Sequence, residues 1–121
     1  MMATTHQDVE MYSGDTRTLN FTVTEADGVT AIDLSGISAI KWQCSKKLSS
    51  GFASVATLSK ALGTGVTVTD ALAGKLQVAL SPIDTYALSG RFYHELELTD
   101  GGGNVSTVAV GTLTILKDLI N

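Results

Sequence analysis

The side chains here best suited to acid–base, nucleophilic or metal chemistry near neutral pH are His6, His94, Cys44 and a scatter of carboxylates. His94 stands in "RFYHELEL", Arg91 to Leu98, beside Glu95 and Glu97. As a general base it would need a partner in reach of its ring. In an extended strand alternate side chains face opposite ways. His94 then shares a face with Phe92, Leu96 and Leu98, while Glu95 and Glu97 share the other with Tyr93. The spacing predicts a half-buried imidazole bonded to a backbone group at the sheet margin, its neighbouring glutamates out of reach.

The other candidates carry less. A zinc site takes three or four ligands at recognisable spacing, and His6, Cys44 and His94 lie far apart in sequence. Cys44 sits in an apolar-rich run with no local base, so it reads as a buried thiol. As a lone cysteine it has no internal disulfide partner. Asp27, Asp33, Asp70, Asp84 and Asp100 all stand beside expected turns, where an aspartate bonds its own backbone two residues on. There is no D-x-D-x-D-G calcium loop. Gly101-Gly102-Gly103 lacks the Gly-Lys-Ser/Thr of a phosphate loop and leads into a strand. There is no G-x-S-x-G elbow. No catalytic residue, metal site or cofactor is expected.

The elements that would position these residues follow a period of two. Leu19, Phe21 and Val23 alternate with polar residues, as do Ile40, Trp42 and Cys44. Leu76, Val78 and Leu80 repeat the pattern, followed by Phe92, Leu96 and Leu98, then Val108 and Val110, then Leu113 and Ile115. Val9 and Met11 suggest a short leading strand, Val66 and Val68 another, and Val55 with Leu58 an edge strand. Glu25-Ala26-Asp27-Gly28 has the Asp-Gly signal of a hairpin between two strands. Asp33 to Gly36, Asp70 to Gly74 and Asp100 to Asn104 mark further turns. Strands about ten residues apart, split by Gly and Asp, imply an all-β sandwich or barrel. Ser81-Pro82, closed by Gly90, punctuates one short helical turn near residues 82–88. That turn would lie across one end, with Leu88 and Tyr86 as a plug. The expected core is Leu19, Phe21, Val23, Ile40, Trp42, Leu76, Val78, Leu80, Phe92, Leu96, Leu98, Leu113 and Ile115, with Trp42 its central aromatic.

Totals limit the function further. At 121 residues the chain suggests one domain, large enough to bury a core. Charged residues are 17% of the total, below the usual ~25%, and such a surface loses little on burial against other subunits. The net charge is −4 with the basic residues scattered, so direct nucleic-acid binding is not expected. The opening residues lack the basic-then-apolar pattern of a signal peptide. No run of ~18 apolar residues is present, so no membrane span is expected, and synthesis in a cytoplasm is.

Three stretches in order carry a resemblance: "GDTRTLNFTVTEADG" from Gly14, "IDLSGISAIKWQ" from Ile32, and "GTGVTVTDALAGKLQVALSPIDTYALSGRFYHELELTDGGGNVSTVAVGTLTI" from Gly63. Together they resemble the immunoglobulin-like N-terminal domain of the phage baseplate upper protein family. The resemblance implies an immunoglobulin-like antiparallel β-sandwich over residues 14–116, preceded by a segment 1–13 and followed by a tail 117–121. Baseplate upper proteins continue into further domains where this chain stops, so the resemblance implies a freestanding structural subunit of a bacteriophage virion. Its partners would be other virion proteins, with several copies per particle, in the tail, baseplate or neck. A head decoration protein of the same fold is the nearest alternative. A carbohydrate-binding module for host attachment is the alternative of another class, short of aromatics with seven in the chain. Tyr12, Phe52 and Tyr93 are the candidate interface residues, on expected outward or loop positions.

Overall fold

The computed structural model describes residues 3–48, 51–53 and 55–120, with the side chain of Phe52 outside the described set. Ten strands are present among these residues: β1 (Thr5–His6), β2 (Val9–Tyr12), β3 (Arg17–Thr22), β4 (Ile37–Leu48), β5 (Gly51–Phe52), β6 (Leu58–Leu62), β7 (Gly65–Asp70), β8 (Lys75–Leu80), β9 (Gly90–Asp100) and β10 (Val105–Leu116). A 3-10 turn, Leu34–Gly36, precedes β4, and one helical turn, α1 (Pro82–Thr85), precedes β9. The molecule is an immunoglobulin-like β-sandwich.

One ladder runs β1-β10-β9-β4-β6-β7-β8-β3, with β2 also on β10 and β5 on β4. It curls, so that β3, β8 and β7 face β4, β9 and β10. The ring of Phe21 in β3 lies 6.3 Å from that of His94 in β9, although these strands are far apart along the ladder. The corner falls at the parallel β6–β7 contact, which is only two residue pairs long. The enclosed space holds one apolar cluster with Trp42 fully buried. Every residue of the expected core is buried there, joined by Val9, Met11, Leu34, Val66 and Val108.

The turns use the chemistry that marks them. Asp33 caps the 3-10 turn by accepting from the Ser35 amide and hydroxyl. The Asp100 carboxylate takes the amides of Gly102 and Asn104 at the β9–β10 hairpin. Gly74 sits at φ +68°, a region natural only to glycine, and a Cβ there would meet the carbonyls of Val23 and Ile32. In α1, Asp84 reaches back to the amide and hydroxyl of Ser81 and pairs with Lys60 Nζ at 3.0 Å.

Five expectations need correction. The Asp27-Gly28 turn does not join two strands: it closes on a single bridge, Thr24 to Ala31. Asp27 instead accepts from the amides of Val29 and Thr30 and the Thr30 hydroxyl, which makes the loop self-contained. The Val55–Leu58 run is not an edge strand, because Val55 is exposed outside any strand and β6 lies between β4 and β7. Val110 does not face inward with Val108. A bulge between Thr107 and Ala109 adds a residue and flips the later parity, so Ala109, Gly111, Leu113 and Ile115 point in. Tyr86 is no plug; it is exposed, and Thr85 is buried in its place, while Leu88 packs against the core. The fifth correction concerns His94 and is taken up with its partners below.

The leading strands pair in parallel with β10, Thr5 and His6 with Ala109 and Val110, and Val9 to Tyr12 with Leu113 to Leu116. Between them the chain kinks at Gln7. The Gln7 amide donates to Val110 O and its side chain donates to Asn20 O of β3. The Ala3 amide donates to Thr24 O. The leading segment thus bridges the two ends of the curled ladder.

Candidate docking surface

His94 is fully buried, in mid-strand, and not half-buried at a margin as its sequence context predicts. Its Nδ1 accepts from Trp42 Nε1–H at 3.2 Å, and its Nε2 lies 2.7 Å from Gln7 O. Trp42 can only donate and a carbonyl can only accept, so the proton sits on Nε2. Burial, the largest influence, lowers the pKa of this imidazole below 6.5. Both ring nitrogens are spent on structure. Cys44 is also buried, and burial pushes its thiol up to about 11, which suppresses the thiolate a nucleophile needs. His6 is exposed and pairs with Asp8 at 3.1 Å. Among the described residues no three His, Cys, Asp or Glu side chains converge as metal ligands.

The outer face of β4 and β9 carries two shallow hollows that share Gln43 and Glu95. Tyr93 lines the first, half-buried, and donates its hydroxyl to Glu95 Oε2 at 2.9 Å. Burial, then the Glu95 carboxylate, raises this phenol to about 12. The hollows are small and polar-rimmed, with one aromatic between them.

Exposed large apolar side chains lie at both ends, with Val29, Leu72 and Val105 among the turns. Hydrogen bonds join three segments at one end of the sandwich: Gly14 N–H donates to Thr85 Oγ1, and Asp118 N–H donates to Ser13 Oγ. The Ser13 amide closes on Leu116 O. These segments present Tyr12, Ile83, Tyr86, Leu119 and Ile120, the last two more than 90% exposed. An open hollow runs between Tyr86–Ser89 and Lys117–Asp118. The rim is of mixed charge, with Arg17, Arg91, Lys46 and Lys47 from the strands that begin or end here and Asp15, Asp84 and Asp118 on the joined segments. Exposed apolar clusters of this kind mark contact sites.

Of the three interface residues expected from sequence, Tyr12 is in this cluster, Tyr93 is on the β4–β9 face, and the Phe52 side chain lies outside the described residues. Tyr12 and Tyr93 both face outward on the β2-β10-β9-β4 sheet, Tyr12 beside Leu116 at its edge and Tyr93 beside Thr112. Ile83 escaped the sequence reading, Tyr86 was read as an inward plug, and Leu119 and Ile120 lie in the tail 117–121. Leu119 and Ile120 offered one signal: adjacent apolar residues after the last strand have no sheet face to share.

The opposite end is built from the turns. The Leu34 amide donates to Ala71 O, and the Val23 amide donates to Gly74 O. Glu25, Asp27, Asp33, Asp70 and Asp100 therefore crowd one end. Hydrogen bonds from Thr30, Val29 and their neighbours hold Asp27 down to about 2, and those from Ser35 and Asn104 lower Asp33 and Asp100.

No family model matches the chain, and no curated protein matches it. Among solved structures, the fibronectin(III)-like modules of Clostridium thermocellum CbhA are similar, at 15% identity over 97% of this chain and 98% of that chain, with a TM-score of 0.46.

Proposed function

We propose that this chain is a non-enzymatic structural subunit of a bacteriophage virion, in the tail, baseplate or neck, that packs against other virion proteins in multiple copies. The observation that carries the reading is the group of exposed side chains Tyr12, Tyr86, Leu119 and Ile120 at one end of a sandwich whose His94 and Cys44 are locked in its core. Burying such aromatic and aliphatic anchors provides contact energy, and the charged rim sets register. The resemblance in sequence supplies the virion context, and the low charge of the surface fits burial. The protein would be made in the bacterial cytoplasm and reside in the particle, without a cofactor and without contacting nucleic acid or membrane.

The test is incorporation. Tyr86→Ser combined with Leu119→Ser changes only exposed side chains, so thermal stability is expected to stay within ~0.5 kcal/mol of the parent. Mass spectrometry of purified particles should find the parent chain in them and the variant depleted at least tenfold. Equal incorporation, or absence of the parent chain from particles, refutes the reading. Running separated heads and tails decides between the tail assignment and a head decoration. The carbohydrate-binding alternative rests on the hollow beside Tyr93, and glycan-array binding lost in Tyr93→Ala would favour it.

A further inference from the structure

We propose that the leading segment, residues 3–12, is an exchangeable strand that leaves its own β10 and fills the same slot on a second copy of this chain. The inference stands apart from the virion reading, since it concerns only how copies link.

The slot is specific for this segment. Gly111 leaves space that a side chain would deny, because a Cβ there would overlap the Gln7 carbonyl. Beneath it His94 presents Nε2–H to that same carbonyl. The Thr112 amide donates to Asp8 Oδ1 at 2.9 Å, and Val110 O takes the Gln7 amide. Val9 and Met11 then complete the core. These receptor groups belong to β9 and β10, 87 to 104 residues along the chain from the donor, and Asn20 O and Thr24 O beside β3 take the Gln7 side chain and the Ala3 amide. Nothing in the slot distinguishes a donor strand of its own molecule from that of another.

Only the hinge makes the distinction. Ser13 to Thr16 carries the chain from β2 in one layer to β3 in the other. Gly14 turns it at φ +79°, and the Gly14 and Ser13 amides bond Thr85 Oγ1 and Leu116 O. Strand exchange keeps the same slot contacts and differs mainly in the hinge and in concentration. A short tether holds its segment at an effective concentration on the order of millimolar. Closed monomers therefore prevail at micromolar concentration. Exchange competes where copies are held side by side at millimolar density, as in a repeating assembly.

Cross-linking reads the donor's origin. Glu10 and Thr114 are register partners across β2 and β10, and neither is a buried core position. In the Glu10→Cys/Thr114→Cys chain, a disulfide closes within one molecule or between two. On non-reducing gels, oxidation at micromolar concentration should give monomers, and oxidation at millimolar concentration at least a third of the protein as reducible dimers and longer ladders. Deleting Asp15 and Thr16 should make dimers predominate at micromolar concentration, with light scattering giving the same state. Monomers alone at both concentrations overturn the proposal, as do dimers formed equally by Glu10→Cys without its partner. If the shortened chain fails to fold, the concentration series on the full hinge still decides. Tyr86→Ser in the same background should leave the ladder intact, which separates exchange from end-on docking.

Discussion

Trp42 and His94 form a donor–acceptor pair in the centre of the core, with Gln7 O as the third member. The pair fixes the neutral tautomer. A second proton on Nδ1 would face the indole N–H, donor against donor, where both side chains are fully buried. The unfolded chain takes up that proton near 6.5, and the folded chain only at lower pH. This contribution to stability is complete above 6.5 and declines as pH falls towards the folded value, by up to about 1.4 kcal/mol per pH unit. Urea midpoints of the parent should drop between pH 7.5 and 5.5, and those of His94→Phe should be flat over the same range. His94→Phe should also start lower at pH 7.5, since Trp42 Nε1–H and Gln7 O each lose a partner at about 1–3 kcal/mol. A parent midpoint independent of pH there refutes this account of the imidazole. Strand parity gave the inward direction of His94 from sequence. Its depth was hidden because the carbonyl that covers it comes from the leading segment.

At the scale of elements, the strands and most turns were legible, because period-two alternation and the Asp and Gly positions act locally. Asp33, Asp70 and Asp100 mark turns where their residue types imply them. Three features depend on distant partners and were not legible. The bulge near Val108 answers to β9. Thr85 is buried because the Gly14 amide needs an acceptor. The parallel docking of β1 and β2 on β10 has no local signature, since either direction would satisfy the alternation of Val9 and Met11. That docking yields a sharp expectation for Gly111→Ala. The new methyl displaces Gln7, so Val9 and Met11 lose burial worth about 1.5–3 kcal/mol each. Amide exchange at Val9 to Tyr12 should accelerate more than a hundredfold, while the β3–β8 amides stay protected until global unfolding. Unchanged protection of the leading strands would show that Gly111 does not hold the slot open.

The whole molecule is polarised along its long axis. Carboxylates gather where the turns meet, and Arg17, Lys46, Lys47, Arg91 and Lys117 stand nearer the end that carries the apolar cluster. The net charge of −4 therefore falls mainly on the turn end. A partner at that end is expected to be basic, and association through it to be steered by charge. The screening length shrinks from about 10 Å at 0.1 M salt to about 3 Å at 1 M. On the virion role proposed above, the association rate onto particles lacking this chain should then fall at least fivefold over that range, with a smaller change in dissociation rate. A salt-independent association rate would place the turn end away from any contact.

The parallel seat of β2 on β10 also sets a timetable. A ribosome finishes residues 3–12 long before it makes Gly111 and Ile115, so Val9 and Met11 wait for a partner while all the strands between are made. At roughly 5–20 residues per second that delay is several seconds, during which these apolar side chains are open to chaperones or to nascent neighbours on the same messenger. Of the ten strands described, the last to be born is the one that lets the first come to rest.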